Sequence, residues 1–147
     1  MYRFTLILKK IGIVLCLLIP NYLISQDTSK IEKEIFKQIN NYRIKIGEPK
    51  FIYISSKVQS CRNHSKFMGT KNSLEHVKNL SKVGANSEII QLNFTDGRTL
   101  NEIGIDVRDI FLDSPPHKKI IEGDYKEISI GVYITEDKDL WVTIRFI

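Results

Sequence analysis

Cysteine is almost missing from this sequence. Of 147 residues only Cys16 and Cys61 are cysteines, and they fall in very different surroundings. A disulfide framework is therefore excluded, and stability must come from a packed core. No apolar run reaches the roughly 20 residues needed to span a bilayer. No block of lysine and arginine with interleaved aromatics is present, so no nucleic-acid partner is implied. There is no repeat and no low-complexity linker. The sequence also has no Gly-x-Ser-x-Gly elbow and no His-Glu-x-x-His helix, and so shows no evident activated nucleophile and no ready-made zinc-protease site.

What is present begins with a leader. Residues 1–10 carry Arg3, Lys9 and Lys10 and no acid, and an apolar run from Ile11 to Ile19 follows until Pro20 and Asn21 break it. Ser25 then precedes Gln26 and Asp27, the first acid. A basic start, a short apolar stretch and a small-residue exit are the parts of a secretion signal. Residues 1–25 read as that signal and 26–147 as one domain, secreted or periplasmic, with the membrane involved only if the signal stays uncleaved. Cys16 lies inside the apolar stretch, too close to Lys9 and Lys10 to suit a lipid-modified cysteine. With 22 Lys and Arg against 17 Asp and Glu the chain carries +5. The leader holds three of those cations and no acid, so the domain itself carries +2. Cys61 is then its one cysteine.

Periodicity divides the domain into helices followed by strands. Ile31, Ile35, Ile39, Tyr42 and Ile46 recur on one helical face over 28–46, and Gly47 ends it. Phe51-Ile52-Tyr53 is a short apolar crossing. A second helix is expected from Lys57 to Met68, capped by Ser55 or Ser56 and closed by Gly69, with Val58, Cys61, Ser65 and Met68 on one face. Residues 72–87 read as a long loop, and Glu88–Leu92 as a short strand or helical turn. Leu100–Leu112 is a third helix, with Ile103, Val107, Ile110 and Phe111 inward. Pro115 suits the first turn of a new short helix capped by Ser114. Alternation in Ile128–Ile134 and again in Trp141–Ile147, across Glu136–Asp139, predicts a hairpin. The layout is α+β.

Three histidines are the candidates for chemistry. His64 lies three residues after Cys61, a spacing that a nucleophile and base could share, although a core-facing thiol and imidazole explain it more simply. His76 sits in the loop, where it has no periodic role; it reads as a functional residue or simply as a surface one. His117 lies in the first turn of the short helix, whose positive end keeps an imidazole neutral, as a metal ligand or general base requires; the alternative is that it is simply the third residue of a capped turn. Among the acids, Glu75, Glu102, Asp113, Glu122 and Glu127 read as solvated. Glu88 is placed where the loop enters the core, and a carboxylate there needs a partner.

Taken in order, these stretches resemble the CAP superfamily (cysteine-rich secretory proteins, antigen 5 and pathogenesis-related 1; the SCP domain), in its short bacterial form without disulfides. Ile35–Arg43 followed by Gly47 is similar to the family's first helix, with its N-x-x-R or N-x-Y-R ending. Cys61–Met68, with His64-Ser65 and Met68, is similar to its second helix. Phe111–Ile121 resembles W-x-x-S-P-G-H-R-x-x-I-L, with Phe111 for Trp and Pro116 for Gly. Tyr125–Val132 resembles Y-x-E-I-G-V-G-V, and Trp141-Val142-Thr143 the closing strand. Together they span nearly all of the domain.

The resemblance implies an α-β-α sandwich around a small central antiparallel sheet, with a cleft lined by two histidines and one or two acids. By position the histidines are His76 and His117, and the acid of the G-E-N motif is Glu88, here with Ser87 for Gly and Ile89 for Asn. The second acid is Asp113, with Glu102 as runner-up. The resemblance also implies a divalent metal such as zinc on His76, His117 and Glu88, a partial shell with an open position. The leading expectation is a small ligand in the cleft, a lipid, glycan or peptide. A hydrolase, peptidase or esterase-like, using His76, His117 and Glu88 is the alternative, and a non-catalytic envelope interaction module the third. A monomer is expected.

Overall fold

The computed structural model describes residues 28–147, so the leader and Cys16 lie outside the described residues. The first helix, α1, covers 28–45 and stops where Gly47 turns back at φ +85°. Strand β1 is only Ile52–Tyr53. A 3-10 turn at Ser55–Lys57 leads into α2, Val58–Lys71. After a long loop come β2, Ser87–Phe94, α3, Leu100–Asp113, and α4, Pro115–Ile121. The hairpin β3, Glu127–Ile134, and β4, Asp139–Phe146, closes the chain.

The sheet runs β1-β3-β4-β2. Strands β2, β3 and β4 pair antiparallel, but β1 lies parallel to β3, so the sheet is mixed where a purely antiparallel one was expected. The reason is connectivity. β1 and β3 are separated by about seventy residues that hold three helices, and such a connection can return the chain in the same direction.

Alternation along the strands then sorts the layers. Ile128, Ile130 and Val132 face the same way as Leu140, Val142, Ile144 and Ile89. They form one core with Ile35 and Ile39 of α1, Ile103, Val107 and Phe111 of α3, and Ile121 of α4. The opposite face carries Gly131, Tyr133, Trp141, Thr143, Arg145, Glu88 and Ile90, and α2 covers it with Val58, Cys61, Ser65 and Met68. The result is an α-β-α sandwich with α2 alone on one side. Gly131 sets the spacing: a Cβ there would lie 2.2 Å from the Arg62 backbone nitrogen and 2.5 Å from the Cys61 carbonyl carbon.

Several expected details differ. Helix α2 does not stop at Gly69; it continues to Lys71 and ends where Asn72 turns left-handed at φ 51°. Gly69 serves close approach instead, because a Cβ there would meet the Tyr133 ring at 2.7 Å. No serine caps α2: its N-cap is Lys57, without a side-chain bond. Ile46 lies beyond the helix and is exposed, and Ile110 is 47% exposed on the outer face of α3. Ser114 occupies the N-cap position of α4, but its side chain makes no capping bond. The capping box of α3, Thr99 with Glu102, is better formed.

Two polar staples hold the frame. The Asn40 carboxamide bonds both the N–H and the C=O of Phe51, at 2.8 and 3.2 Å, as a neighbouring strand would. Arg43, buried, donates to the carbonyls of Pro49, Ile121 and Gly123 and lies 4.0 Å over the Phe51 ring. On the β1 side of the sheet, buried Glu32 takes two bonds of 2.6 Å from Arg62 and accepts the Val132 N–H at 3.2 Å, beyond the point where β1 ends.

Candidate functional site

The site is built around the carboxylate of Glu88, at the start of edge strand β2 and 5% exposed. Its Oε2 accepts from Arg145 Nε at 2.9 Å, and both side chains are out of solvent. Arg145 is pinned in turn by a 2.7 Å bond to the Ser60 hydroxyl. The other oxygen, Oε1, serves the loop after α2: it accepts the Val77 N–H at 2.9 Å and His76 Nδ1 lies at 3.2 Å. A second imidazole, His64 Nε2, stands 3.7 Å from the same oxygen and 2.8 Å from the Glu75 carbonyl. One buried acid thus joins the sheet to His76 and Val77.

These partners assign the tautomers. A carbonyl only accepts, so His64 carries its proton on Nε2. A carboxylate bonded to His76 Nδ1 likewise places the proton there and leaves the Nε2 lone pair of neutral His76 free. The His76 side chain is 58% exposed, so that lone pair is accessible.

His117 approaches from α4, which packs against β2. It is half-buried, and its ring meets Phe111 edge-to-face at 5.3 Å. Burial pulls its pKa below the ordinary 6.5, and the neighbouring His76 adds to the effect. Burial first, and His76 second, thus favour the neutral imidazole. Just below about pH 6.5 the unfolded chain holds more protons at this position than the folded one, so stability falls as the pH drops through that range and levels off below the folded pKa. His117→Gln is expected to flatten this part of the thermal-unfolding profile. An unchanged acid limb would show that the loss arises elsewhere.

Neither candidate for a second acid joins the cluster. Asp113 is exposed at the end of α3. Glu102 closes the capping box, accepting from Thr99 N and Oγ1 at 2.8 Å each. The Cys61–His64 pair is not a nucleophile and base. Cys61 is fully buried, its Sγ directed at the Ser129 carbonyl, and burial pushes its thiol up to about 12. The Ser65 hydroxyl is held between the Gly131 carbonyl at 2.9 Å and Thr143 Oγ1 at 2.8 Å.

An outer surface protein of Borrelia burgdorferi superposes with a TM-score of 0.64 at 18% identity, covering 81% of this chain and 93% of that one. An extracellular protein from Bacillus anthracis that contains an SCP domain gives 0.63 at 20% identity, covering 83% of this chain and 42% of that one. The fold is that of an SCP domain. This chain spans well under half of the Bacillus protein. No protein-family model matches the sequence, and no curated protein matches it.

Within this SCP-like domain, the expected zinc shell can be tested on the donors themselves. Both Glu88 oxygens are occupied by Arg145, Val77 and His76, and the His76 nitrogen nearest Glu88 is a donor rather than a ligand. Among the described residues no group of three His, Cys, Asp or Glu is placed to hold a metal ion. The cluster around Glu88 also contains two residues that sequence reasoning did not assign to it. Arg145 reads as one alternating position of a strand, and only its pairing opposite Glu88 in the register reveals it. His64 was read as a core-side, hydrogen-bonded imidazole, and its side chain is 10% exposed with Nε2 on the Glu75 carbonyl; its nearness to Glu88 is what the sequence did not show.

Proposed function

We propose that this is an exported SCP-like domain that binds a small ligand non-covalently beside His76, which Glu88 orients, with His117 nearby. The observation that carries the reading is the 3.2 Å Glu88–His76 contact, which fixes the ring and turns its Nε2 outward, with the half-buried imidazole of His117 nearby. Such a pair suits hydroxyl or N–H donors on a ligand. The spent or buried states of Cys61 and Ser65 argue against covalent catalysis. Export is supported by the leader and by the outer-surface and extracellular descriptions of the two structural neighbours.

A fragment screen followed by amide and imidazole NMR tests this. Hits are expected to shift His76, His117 and Val77 together, and His76→Phe should abolish them. A screen in which no compound class perturbs these residues overturns the proposal.

One feature favours a second reading. A carboxylate that orients an imidazole is half of a general-base arrangement for activating water. Turnover of ester or peptide substrates lost in both His76→Phe and His117→Gln would support hydrolysis; turnover unchanged in His117→Gln would exclude it.

A further inference from the structure

His64 and His76 themselves border a pocket on the side of the loop that follows α2. The loop after α2 leans against the outer side of the helix and encloses a pocket of about 400 Å³. Its walls include Phe67 of α2 and Val77 and Val83 of the loop, and Lys78 and Lys82 are in its lining. The volume is at the lower end of the range for small-molecule sites, roughly 300–1,000 Å³.

The charges there do not cancel. Glu75 is the one acid in the lining, and Lys71 Nζ holds it at 2.8 Å. Lys71 is itself placed by the Phe67 ring, 4.9 Å from its ammonium. Lys78 attracts Glu75 only through space. Lys82 has no ion-pair partner among the described residues. Both ammonium groups are exposed beside an apolar wall that no other segment among the described residues covers.

The loop is also held open by the core. Glu88 fixes Val77 from below, His64 fixes the Glu75 carbonyl, and the Lys57 ammonium reaches the Gly84 carbonyl at the far end. The pocket is thus preformed, and a ligand need not pay to order its walls.

We infer that this pocket takes a small amphipathic anion, with an apolar body against Phe67, Val77 and Val83 and its negative head at Lys78 and Lys82. The inference rests on the binding role proposed above and specifies the chemistry of the ligand. An apolar wall alone would accept neutral compounds, and two lysines alone would accept inorganic anions. The two together select molecules that carry both features.

Three probes of matched shape test it: 3-phenylpropionate, 3-phenylpropanol and 3-phenylpropylamine, titrated into the exported protein and followed by amide NMR. The acid is expected to shift Val77, Lys82 and Val83, to bind at least tenfold more tightly than the alcohol, and to weaken as salt is raised. The amine should not bind. Lys78→Ala with Lys82→Ala should weaken the acid at least tenfold and leave the alcohol unchanged. Inorganic phosphate should not shift these residues.

Equal binding of acid and alcohol overturns the inference, as does full retention of the acid by the double variant. Phosphate shifts at the same residues reduce the site to a bare anion patch and also overturn it. So does attachment to phosphatidylglycerol vesicles without binding of the acid, which would make the lysines a membrane contact. The outcomes separate from those of the cleft. If the acid fails while neutral or cationic fragments still perturb His76 and Val77, only the anion preference falls. If no compound of any class binds, both proposals fall.

Discussion

Gly131→Ala is expected to destabilise the domain by about 3 kcal/mol or more, at the upper end of the range for overpacking a core. The added methyl would lie 2.2 Å from the Arg62 nitrogen and 2.5 Å from the Cys61 carbonyl carbon. Both are backbone atoms of α2, so no side chain can rotate out of the way. The helix would have to lift, and with it Cys61, Ser65 and Met68 would lose their seats on the sheet. In a domain of ordinary marginal stability this consumes a large share of the total. The check is chemical denaturation of the wild type and the variant side by side. A loss below about 1 kcal/mol would mean that α2 can slide, and that the close seating has no energetic role.

The second large effect belongs to the buried ion pair. Arg145→Met leaves the Glu88 carboxylate in the interior without its Oε2 partner. Removing one member of such a pair typically costs about 3–5 kcal/mol, because the other remains buried and uncompensated. The paired replacement, Arg145→Met with Glu88→Leu, should recover most of that loss, since apolar side chains of similar volume often substitute without penalty. Recovery of stability would not restore the site. Val77 would lose the acceptor for its N–H, and His76 the group that orients its ring. Hydrogen exchange should therefore show rapid exchange at Val77 in a protein that is otherwise protected. If Val77 stays protected in the double variant, the loop is held by something other than Glu88.

That separation also explains which parts of the molecule were legible in the sequence. Elements with one clear period were read well. Val58, Cys61, Ser65 and Met68 were taken as one buried face of α2, and they are its buried residues. The hairpin followed from strict alternation. Features set by a partner distant in the chain were not readable. Gly69 looks like a stop signal until Tyr133 is seen across from it. Ser114 looks like a cap, but its side chain makes no such bond. Ile110 fits the helical period of the core, yet the packing of α3 leaves that flank to solvent. The parallel placement of β1 has no local signature at all.

The same contrast runs through the site. Glu88 was singled out because an acid entering a core needs a partner, and the structure supplies one. Which partner was beyond reach: Arg145 lies 57 residues further on, and register alone brings the two together. His76 and His117 were proposed from position and resemblance; Glu88 lies 3.2 Å from His76 Nδ1, and His117 comes from α4, which packs against β2. The motif around Asn40 and Arg43 carried much of the resemblance, but its work is mechanical. Asn40 imitates a strand for Phe51, and Arg43 ties the end of α1 to the end of α4. A match in that stretch therefore reports a shape rather than an activity.

Glu32 has a consequence for how this protein survives among its own copies. Past the two residues of β1, the outer side of β3 would offer a free backbone donor at Val132, the kind of open rim on which a second molecule can add a strand and begin a fibril. The Glu32 carboxylate occupies that donor and brings a negative charge, with Arg62 locked onto it. An incoming strand would have to displace a bidentate ion pair before it could form its first hydrogen bond there. The short first strand, which leaves the sheet incomplete, is thus made safe against runaway self-assembly by one side chain from the helix before it.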